Sequence, residues 1–348
     1  MSYVLYRICT IKIDERWVCI MYYNRTLTDD FAQLLMAGGQ LRWWYDFVKS
    51  RVDLDFLIGK NNKAEFISIY RGLTRIMTIK PTRNAGIVNI DAAPSYKEIA
   101  QEFFGVKSVS SITKEPIELI INHLMANGIK DRYYGNKKEG YYQNELSRKY
   151  GICSSDDSDF VIIDKEAVIG YENESEKKQL FSSLQDGYKE LQRKISNLDS
   201  DKYGKDLDKR AIGNELDFLA LNKNGDVLLI EYKHGSNTSG IYLSPLQIGL
   251  YYDNFSLLPK KVLQDGITRM FEQKQRIGLI NEKWKKPELS GRIIPVLIIS
   301  NPNIKSSACT KFYEILEFCK KSKGSDFLRN LKTYSYTTDG GLVPWGNT

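Results

Sequence analysis

Residues 215–233 constrain the fold of this chain more than any other segment. Asn224-Gly225 stands between two runs of strand-forming residues. The dipeptide favours a type I′ turn, because both central positions of that turn require positive φ. The second run begins with residues 227–230, which are wholly apolar, as in a strand that is buried on both faces. We therefore predict two antiparallel strands joined by a tight turn.

Three charged residues interrupt these two strands, namely Asp217, Glu231 and Lys233. Side chains two apart on a strand share a face, so Glu231 and Lys233 point the same way, and Asp217 on the neighbouring strand can lie beside them. Two carboxylates suit a hard divalent cation such as Mg²⁺. The ammonium can orient a water molecule or neutralise charge on a phosphate. The alternative that stays open is a cross-strand salt bridge on an exposed sheet edge.

The segment after these strands has the signals of a helix start. Ser244 is expected as the N-cap and Pro245 as the first helical residue. Gln247 and Tyr251 are four residues apart and therefore share a helix face. The order Asp217, then Glu-x-Lys, then Gln-x-x-x-Tyr resembles the PD-(D/E)XK nuclease superfamily, and its RecB-like branch in particular. The resemblance covers roughly residues 172–340.

The resemblance implies a restriction-endonuclease-like αβββαβ domain with a mixed sheet, within an α+β or α/β chain. It implies that Asp217 and Glu231 bind Mg²⁺ (or Mn²⁺) and that Lys233 positions the attacking water. Gln247 would orient the lysine or the metal shell, and Tyr251 would support the sheet or reach a phosphate. The residue before Asp217 is leucine, where the family motif has proline.

The family also carries an acidic residue on the helix before the Asp strand. An apolar stripe at helical spacing marks that helix here, with the members Leu180, Leu184, Tyr188, Leu191 and Ile195. Glu176 lies four residues before Leu180 and extends the stripe, so we expect it to be the third metal carboxylate. The alternative is an acid in the first helical turn, which the helix dipole favours.

Composition excludes several other classes of protein. The 348 residues include five scattered cysteines and two histidines, His123 and His234, which argues against a structural zinc, a His-metal nuclease and a Ser-His-Asp hydrolase. No apolar run approaches a membrane span, and the first residues lack the pattern of a secretory signal. We therefore expect a cytoplasmic protein. The net charge of +7 permits a polyanionic partner without requiring one.

The chain is expected to divide into a β-rich region at 1–92, a mostly helical region at 93–171 and the nuclease-like domain at 172–348. Residues 96–112 resemble the first helix, the turn and the start of the recognition helix in a helix-turn-helix, and residues 144–152 have a similar character, although an ordinary helical hairpin has the same signals. Residues 197–212 form a charged connection that could follow a phosphate backbone, or a solvated loop.

The sequence thus predicts a metal-dependent phosphodiesterase. We expect it to be a DNA endonuclease that acts in defence or repair, and we expect its N-terminal region to target the substrate. The alternatives are a non-catalytic nucleic-acid-binding module and a protein-interaction module on the same fold. The choice between DNA and RNA, and between a homodimer and another protein partner, stays open.

Overall fold

The structure is a computed structural model that describes residues 10–13, 16–19, 21–61, 64–98, 101–127, 134–135, 138–203, 207–213, 215–303, 305–323, 327–337 and 341–346. The chain forms two compact units. We call residues 24–164 and 268–286 the meander unit, and residues 1–23, 165–267 and 287–348 the mixed-sheet unit. Each unit is therefore built from more than one stretch of the sequence.

Helices and strands are interspersed along the described residues. The strands are β1 (Thr10–Ile13), β2 (Arg16–Cys19), β3 (Met21–Tyr22), β4 (Asp55–Lys60), β5 (Glu65–Arg71), β6 (Thr74–Pro81), β7 (Ile87–Asp91), β8 (Gly105–Ser108), β9 (Phe160–Ala167), β10 (Gly170–Tyr171), β11 (Leu216–Asn222), β12 (Val227–His234), β13 (Ile293–Ser300), β14 (Lys332–Tyr336) and β15 (Leu342–Pro344). The helices are α1 (Asp29–Gln33), α2 (Arg42–Ser50), α3 (Pro94–Lys97), α4 (Lys114–Asn127), α5 (Glu139–Lys149), α6 (Glu174–Lys177), α7 (Ser183–Leu198), α8 (Ser200–Tyr203), α9 (Thr238–Ser256), α10 (Lys260–Ile277), α11 (Ala308–Lys323) and α12 (Phe327–Asn330). A π-helical segment, Lys178–Ser182, joins α6 to α7.

The meander unit contains an antiparallel sheet in the order β4-β5-β6-β7-β8, in which sequence neighbours pair. Helix α2 presents Trp44, Tyr45 and Val48 to its core. Trp43 is partly buried against the same core. These aromatic side chains therefore serve core packing in the structure.

The helix-turn-helix interpretation of residues 96–112 and 144–152 is wrong. Gly105 begins strand β8, which pairs with β7. It has a φ of +97°, which glycine adopts without steric cost. Residues 99–100 lie outside the described residues. In the second segment, α5 ends in a turn after Lys149 and the chain continues into strand β9. Helical composition predicted the helices there but not the strands that follow them.

The mixed-sheet unit is organised around a sheet in the order β9-β11-β12-β13-β14-β15. The division between the two units falls within β9. Strands β11 and β12 are antiparallel, β12, β13 and β14 run parallel, and β15 is antiparallel to β14. The mixed α+β class and the mixed sheet are thus as the sequence predicts.

Helices α7, α9 and α11 cover one face of this sheet. They share an apolar cluster with Leu297 and Ile299 of β13. In the parallel register of β12 and β13, Glu231 is the partner of Leu297 and Lys233 is the partner of Ile299. Since register partners on adjacent strands share a face, Glu231 and Lys233 lie beneath these helices.

Among the described residues between α7 and α9 there are two strands, β11 and β12, where the expected αβββαβ order has three. Helix α9 begins at Thr238, with Asn237 as its N-cap, so the expected start at Ser244 is also wrong. Pro245 lies inside the helix and leaves the Ile241 carbonyl without its usual donor. The Ser244 hydroxyl donates to that carbonyl at 2.6 Å, which is how the helix continues through the proline.

The division into units differs from the boundaries expected at residues 92 and 171. Residues 24–164 combine strands and helices in one unit, and residues 268–286 belong with them. Gln273, for example, exchanges two hydrogen bonds with the backbone of Leu27, both at 2.8 Å. Within the described residues, no helix combines the length and the apolar character needed to cross a bilayer.

Candidate active site

The hairpin of β11 and β12 brings the three predicted site residues to one sheet face. Phe218 pairs with Ile230 at the end of the β11–β12 register. Asp217 and Glu231 each lie one residue beyond that pair, on the opposite face from it. Lys233 shares the face of Glu231. The structure therefore places Asp217, Glu231 and Lys233 on the face that α7 and α9 cover.

Asp217 is a half-buried carboxylate with a fixed orientation. Its Oδ2 accepts a hydrogen bond from the backbone N–H of Tyr232 at 2.7 Å. Burial raises the pKa of Asp217 above its ordinary value, although the Lys233 ammonium and the Tyr232 N–H act in the opposite direction. A cation bound beside this carboxylate would offset the cost of its charge.

Glu231 and Lys233 form an ion pair inside the sheet. The Lys233 ammonium donates to Oε1 of Glu231, and the two residues are only 2% and 9% exposed. Strand β12 has a neighbour on each side, so this is not the cross-strand bridge on an exposed edge that the alternative interpretation requires. A buried ion pair is costly to desolvate and contributes little net stability, which favours a functional reason for its presence.

Gln247 and Tyr251 of α9 face this cluster, as their spacing predicts. Gln247 and Lys233 line the same cavity. The Tyr251 hydroxyl donates to the carbonyl oxygen of Glu215 at 2.8 Å and so fixes the chain that enters β11. Burial raises the pKa of Tyr251, and the charges of Glu231 and Asp217 raise it further. Tyr251 is therefore a neutral donor that positions the Asp217 strand.

Gly213 allows the chain to pass close to these two helix residues. A Cβ atom at this position would lie 2.4 Å from the Tyr251 hydroxyl oxygen and 2.6 Å from Nε2 of Gln247. Both distances are shorter than ordinary van der Waals contact. A side chain at position 213 would therefore displace Gln247 or Tyr251.

The cavity beside the cluster has a volume of about 290 Å³. Its lining includes two cations, Lys233 and Arg210, and the polar side chain of Gln192. No carboxylate belongs to the lining among the described residues. The sequence marked Arg210 only as part of a charged connection. Sequence reasoning also missed Gln192. It could have been found as a polar residue between Tyr188 and Ile195 on an otherwise apolar helix face.

Glu176, the expected third carboxylate, is half-buried, whereas Glu174 and Glu190 are exposed. Its backbone N–H donates to the side chain of Asn173, the N-cap of α6. The π-helical segment Lys178–Ser182 separates Glu176 from the apolar stripe of α7. A π turn adds a residue to the helical repeat, so a period of 3.6 cannot be extended through it.

The carboxylates fit a hard divalent cation in their chemistry. Mg²⁺ is commonly held by one or two carboxylates together with water and substrate oxygens, and Asp217 and Glu231 meet that requirement. Across the described parts of the chain, no group of three or more His, Cys, Asp and Glu side chains is placed to hold a metal ion. Glu176 is therefore not brought into a three-carboxylate site with the pair, and its metal role stays a prediction.

Comparison of the chain with protein-family models, with characterised proteins and with solved structures finds no match.

Proposed function

We propose that the mixed-sheet unit is a metal-dependent nuclease with a restriction-endonuclease-like core, and that DNA is its substrate. The observation that carries the proposal is the cluster of half-buried Asp217 with the buried residues Glu231 and Lys233 on one face of the sheet. Such a cluster costs stability and lies beside a cavity whose described lining has two cations and no carboxylate. A phosphodiester brings the negative charge that this cavity lacks.

Each residue of the cluster has a distinct task in this proposal. Asp217 and Glu231 would hold Mg²⁺ or Mn²⁺, which when bound polarises a phosphate oxygen and makes bound water more acidic. Lys233 carries only donors, so it can hold the attacking water or offset the charge that develops on the phosphate. Gln247, which lines the same cavity as Lys233, would orient the lysine or the metal shell. Tyr251 holds the strand that carries Asp217.

Cleavage assays test the proposal. The full chain is incubated with single- and double-stranded DNA and RNA, in Mg²⁺ and in EDTA. We expect cleavage that needs the metal and that falls at least about a hundredfold in Asp217→Ala, because an electrostatic contribution of this kind is worth about two to three orders of magnitude.

The matched control is Asp226→Asn, which removes a buried carboxylate at the other end of the same hairpin. This variant should keep its activity wherever it stays folded. Wild-type levels of cleavage by Asp217→Ala would refute the proposed function.

A further inference from the structure

Gln192 holds the chain beside the cavity in a fixed arrangement. Its Nε2 donates to the carbonyl oxygens of Leu207 and Arg210, at 2.6 and 3.0 Å. These two bonds use both hydrogens of the amide and so fix which end of the side chain is the acceptor. Gln192 is therefore a clamp that positions Arg210.

The other end of the same amide has no partner among the described residues. Oε1 of Gln192 is buried and accepts no hydrogen bond there, and the residue is 1% exposed. Buried acceptors are almost always satisfied, because leaving one unpaired costs free energy. Since Gln192 lines the cavity, a ligand there can supply the missing N–H or O–H.

Arg210 and Lys233 supply positive charge to the same cavity. Arg210 is exposed, and its guanidinium donates to the hydroxyl of Ser239 in the first turn of α9. The start of this long helix adds a partial positive charge. An arginine fork matches the oxygens of a phosphate group, so the charged part of the ligand is expected to be a phosphate.

The rest of the lining indicates what accompanies the phosphate. Ile212, Leu243 and Leu246 form an apolar wall of the cavity. A free phosphate ion needs no such wall. A nucleotide offers all three features together, namely a phosphate, an apolar sugar or base surface and a hydrogen-bond donor.

We propose that this cavity binds one nucleotide unit of the substrate strand, with its phosphate against Arg210 and Lys233 and a sugar hydroxyl or base amino group against Oε1 of Gln192. The inference rests on the proposed function, since it places the nucleotide beside the carboxylate cluster. It adds a binding residue, Arg210, and a positioning residue, Gln192, to the site.

Binding of a short fluorescent single strand, followed by anisotropy without divalent metal, tests the phosphate contact. Arg210→Ala should weaken binding about tenfold or more, because it removes a charge-assisted hydrogen bond. It should also reduce the slope of log affinity against log salt concentration by about one, which corresponds to one counterion fewer released. Arg193→Ala is the control, since it removes the same charge from an exposed position next to Gln192. Equal affinities of the two variants would overturn the assignment of Arg210.

Binding experiments on the wild-type protein identify the ligand group that donates a hydrogen bond to Oε1 of Gln192. No variant is needed, so misfolding cannot affect the result. The strands compared are oligo(C) and oligo(U) in ribose form, and oligo(dC) and oligo(dT) in deoxyribose form. A preference of about fivefold for cytosine assigns the donor to a base amino group. A preference of that size for ribose assigns it to the 2′-hydroxyl, which DNA does not carry, and makes RNA the preferred ligand of the cavity. Identical affinity for all four strands would overturn the role given to Gln192.

The two hypotheses fail in different ways. Metal-dependent cleavage by the wild type together with an unchanged affinity of Arg210→Ala would retain the nuclease and remove the nucleotide site. Weakened binding by Arg210→Ala in a protein that cleaves nothing would retain the site and remove the nuclease.

Discussion

Asp217 combines a charge with an environment that disfavours it. Burial raises the pKa of this carboxyl above its ordinary value, and the Lys233 ammonium compensates only in part. The folded protein therefore binds a proton at Asp217 more tightly than the unfolded chain does. As the pH rises from the ordinary value of 3.8 to the raised value, stability is lost at up to about 1.4 kcal/mol per pH unit.

Asp217→Asn should remove this loss. The amide oxygen can still accept the Tyr232 N–H, and no charge has to be buried. We expect the variant to be at least as stable as the wild type at pH 7 in EDTA, and to lack the decline that the wild type shows above the ordinary pKa. Denaturant unfolding across a pH series measures both effects. A variant clearly less stable than the wild type at pH 7 would show that the negative charge contributes to the fold.

The hairpin shows what a short sequence pattern can predict at the level of an element and where it fails. The two strands and their pairing follow from the apolar runs and the intervening turn dipeptide. The turn itself is not type I′, because Gly225 has a positive φ of +77° and Asn224 does not. Gly225 N–H donates to the Asn222 carbonyl at 3.1 Å. This arrangement matches a three-residue loop that ends in a left-handed glycine.

The choice of turn depends on contacts far along the chain, which a local pattern does not contain. Asp226 accepts hydrogen bonds from Ser290 at 2.7 Å and from the Arg292 guanidinium at 2.8 Å. Burial alone would raise the pKa of Asp226, but these donors and Asn222 hold it below its ordinary value. The π-helical segment Lys178–Ser182 is another feature that the sequence did not reveal, since helical periodicity is interrupted there without glycine or proline.

Gly225→Ala should destabilise the protein by at least about 2 kcal/mol, from the left-handed backbone and from steric overlap together. A Cβ atom at this position would lie 1.9 Å from the carbonyl oxygen of Glu288. Gly86→Ala is the control, because Gly86 also has a positive φ but no atom lies within 4 Å of its Cβ position. It should cost only about 1 kcal/mol. Equal losses in thermal unfolding of the two variants would contradict the close contact with Glu288.

At the scale of the whole molecule, neither unit is a single continuous stretch of the sequence. The sequence placed the strand and helix motifs of residues 172–348 correctly enough to find the candidate site. It could not show that residues 268–286 belong with residues 24–164, since composition does not change at either end of that segment. Trp284, which is buried, donates from its ring to the Ser158 carbonyl at 2.9 Å within the meander unit.

The fragment 172–348 should therefore fail to fold cooperatively. It would expose Trp284 and leave Gln273 and Asn281 without the partners that they have at Leu27 and Ser154. We expect loss of a cooperative thermal transition and aggregation at micromolar concentration, measured by calorimetry and light scattering. Adding residues 24–164 as a separate chain should restore folding. A monomeric fragment with a cooperative transition of its own would contradict this division of the molecule.

We propose that half-buried Asp217 and the buried residues Glu231 and Lys233 of the hairpin form a nuclease active site. A time course of DNA cleavage in Mg²⁺, comparing the full-length wild type with Asp217→Asn at equal concentration and matched folded fraction, tests it most directly. Because Asp217→Asn is expected to be at least as stable as the wild type, loss of cleavage cannot be attributed to unfolding. We expect metal-dependent cleavage by the wild type and at least about a hundredfold less by the variant. Equal cleavage by both proteins, or none by the folded wild type on any DNA substrate, would contradict it.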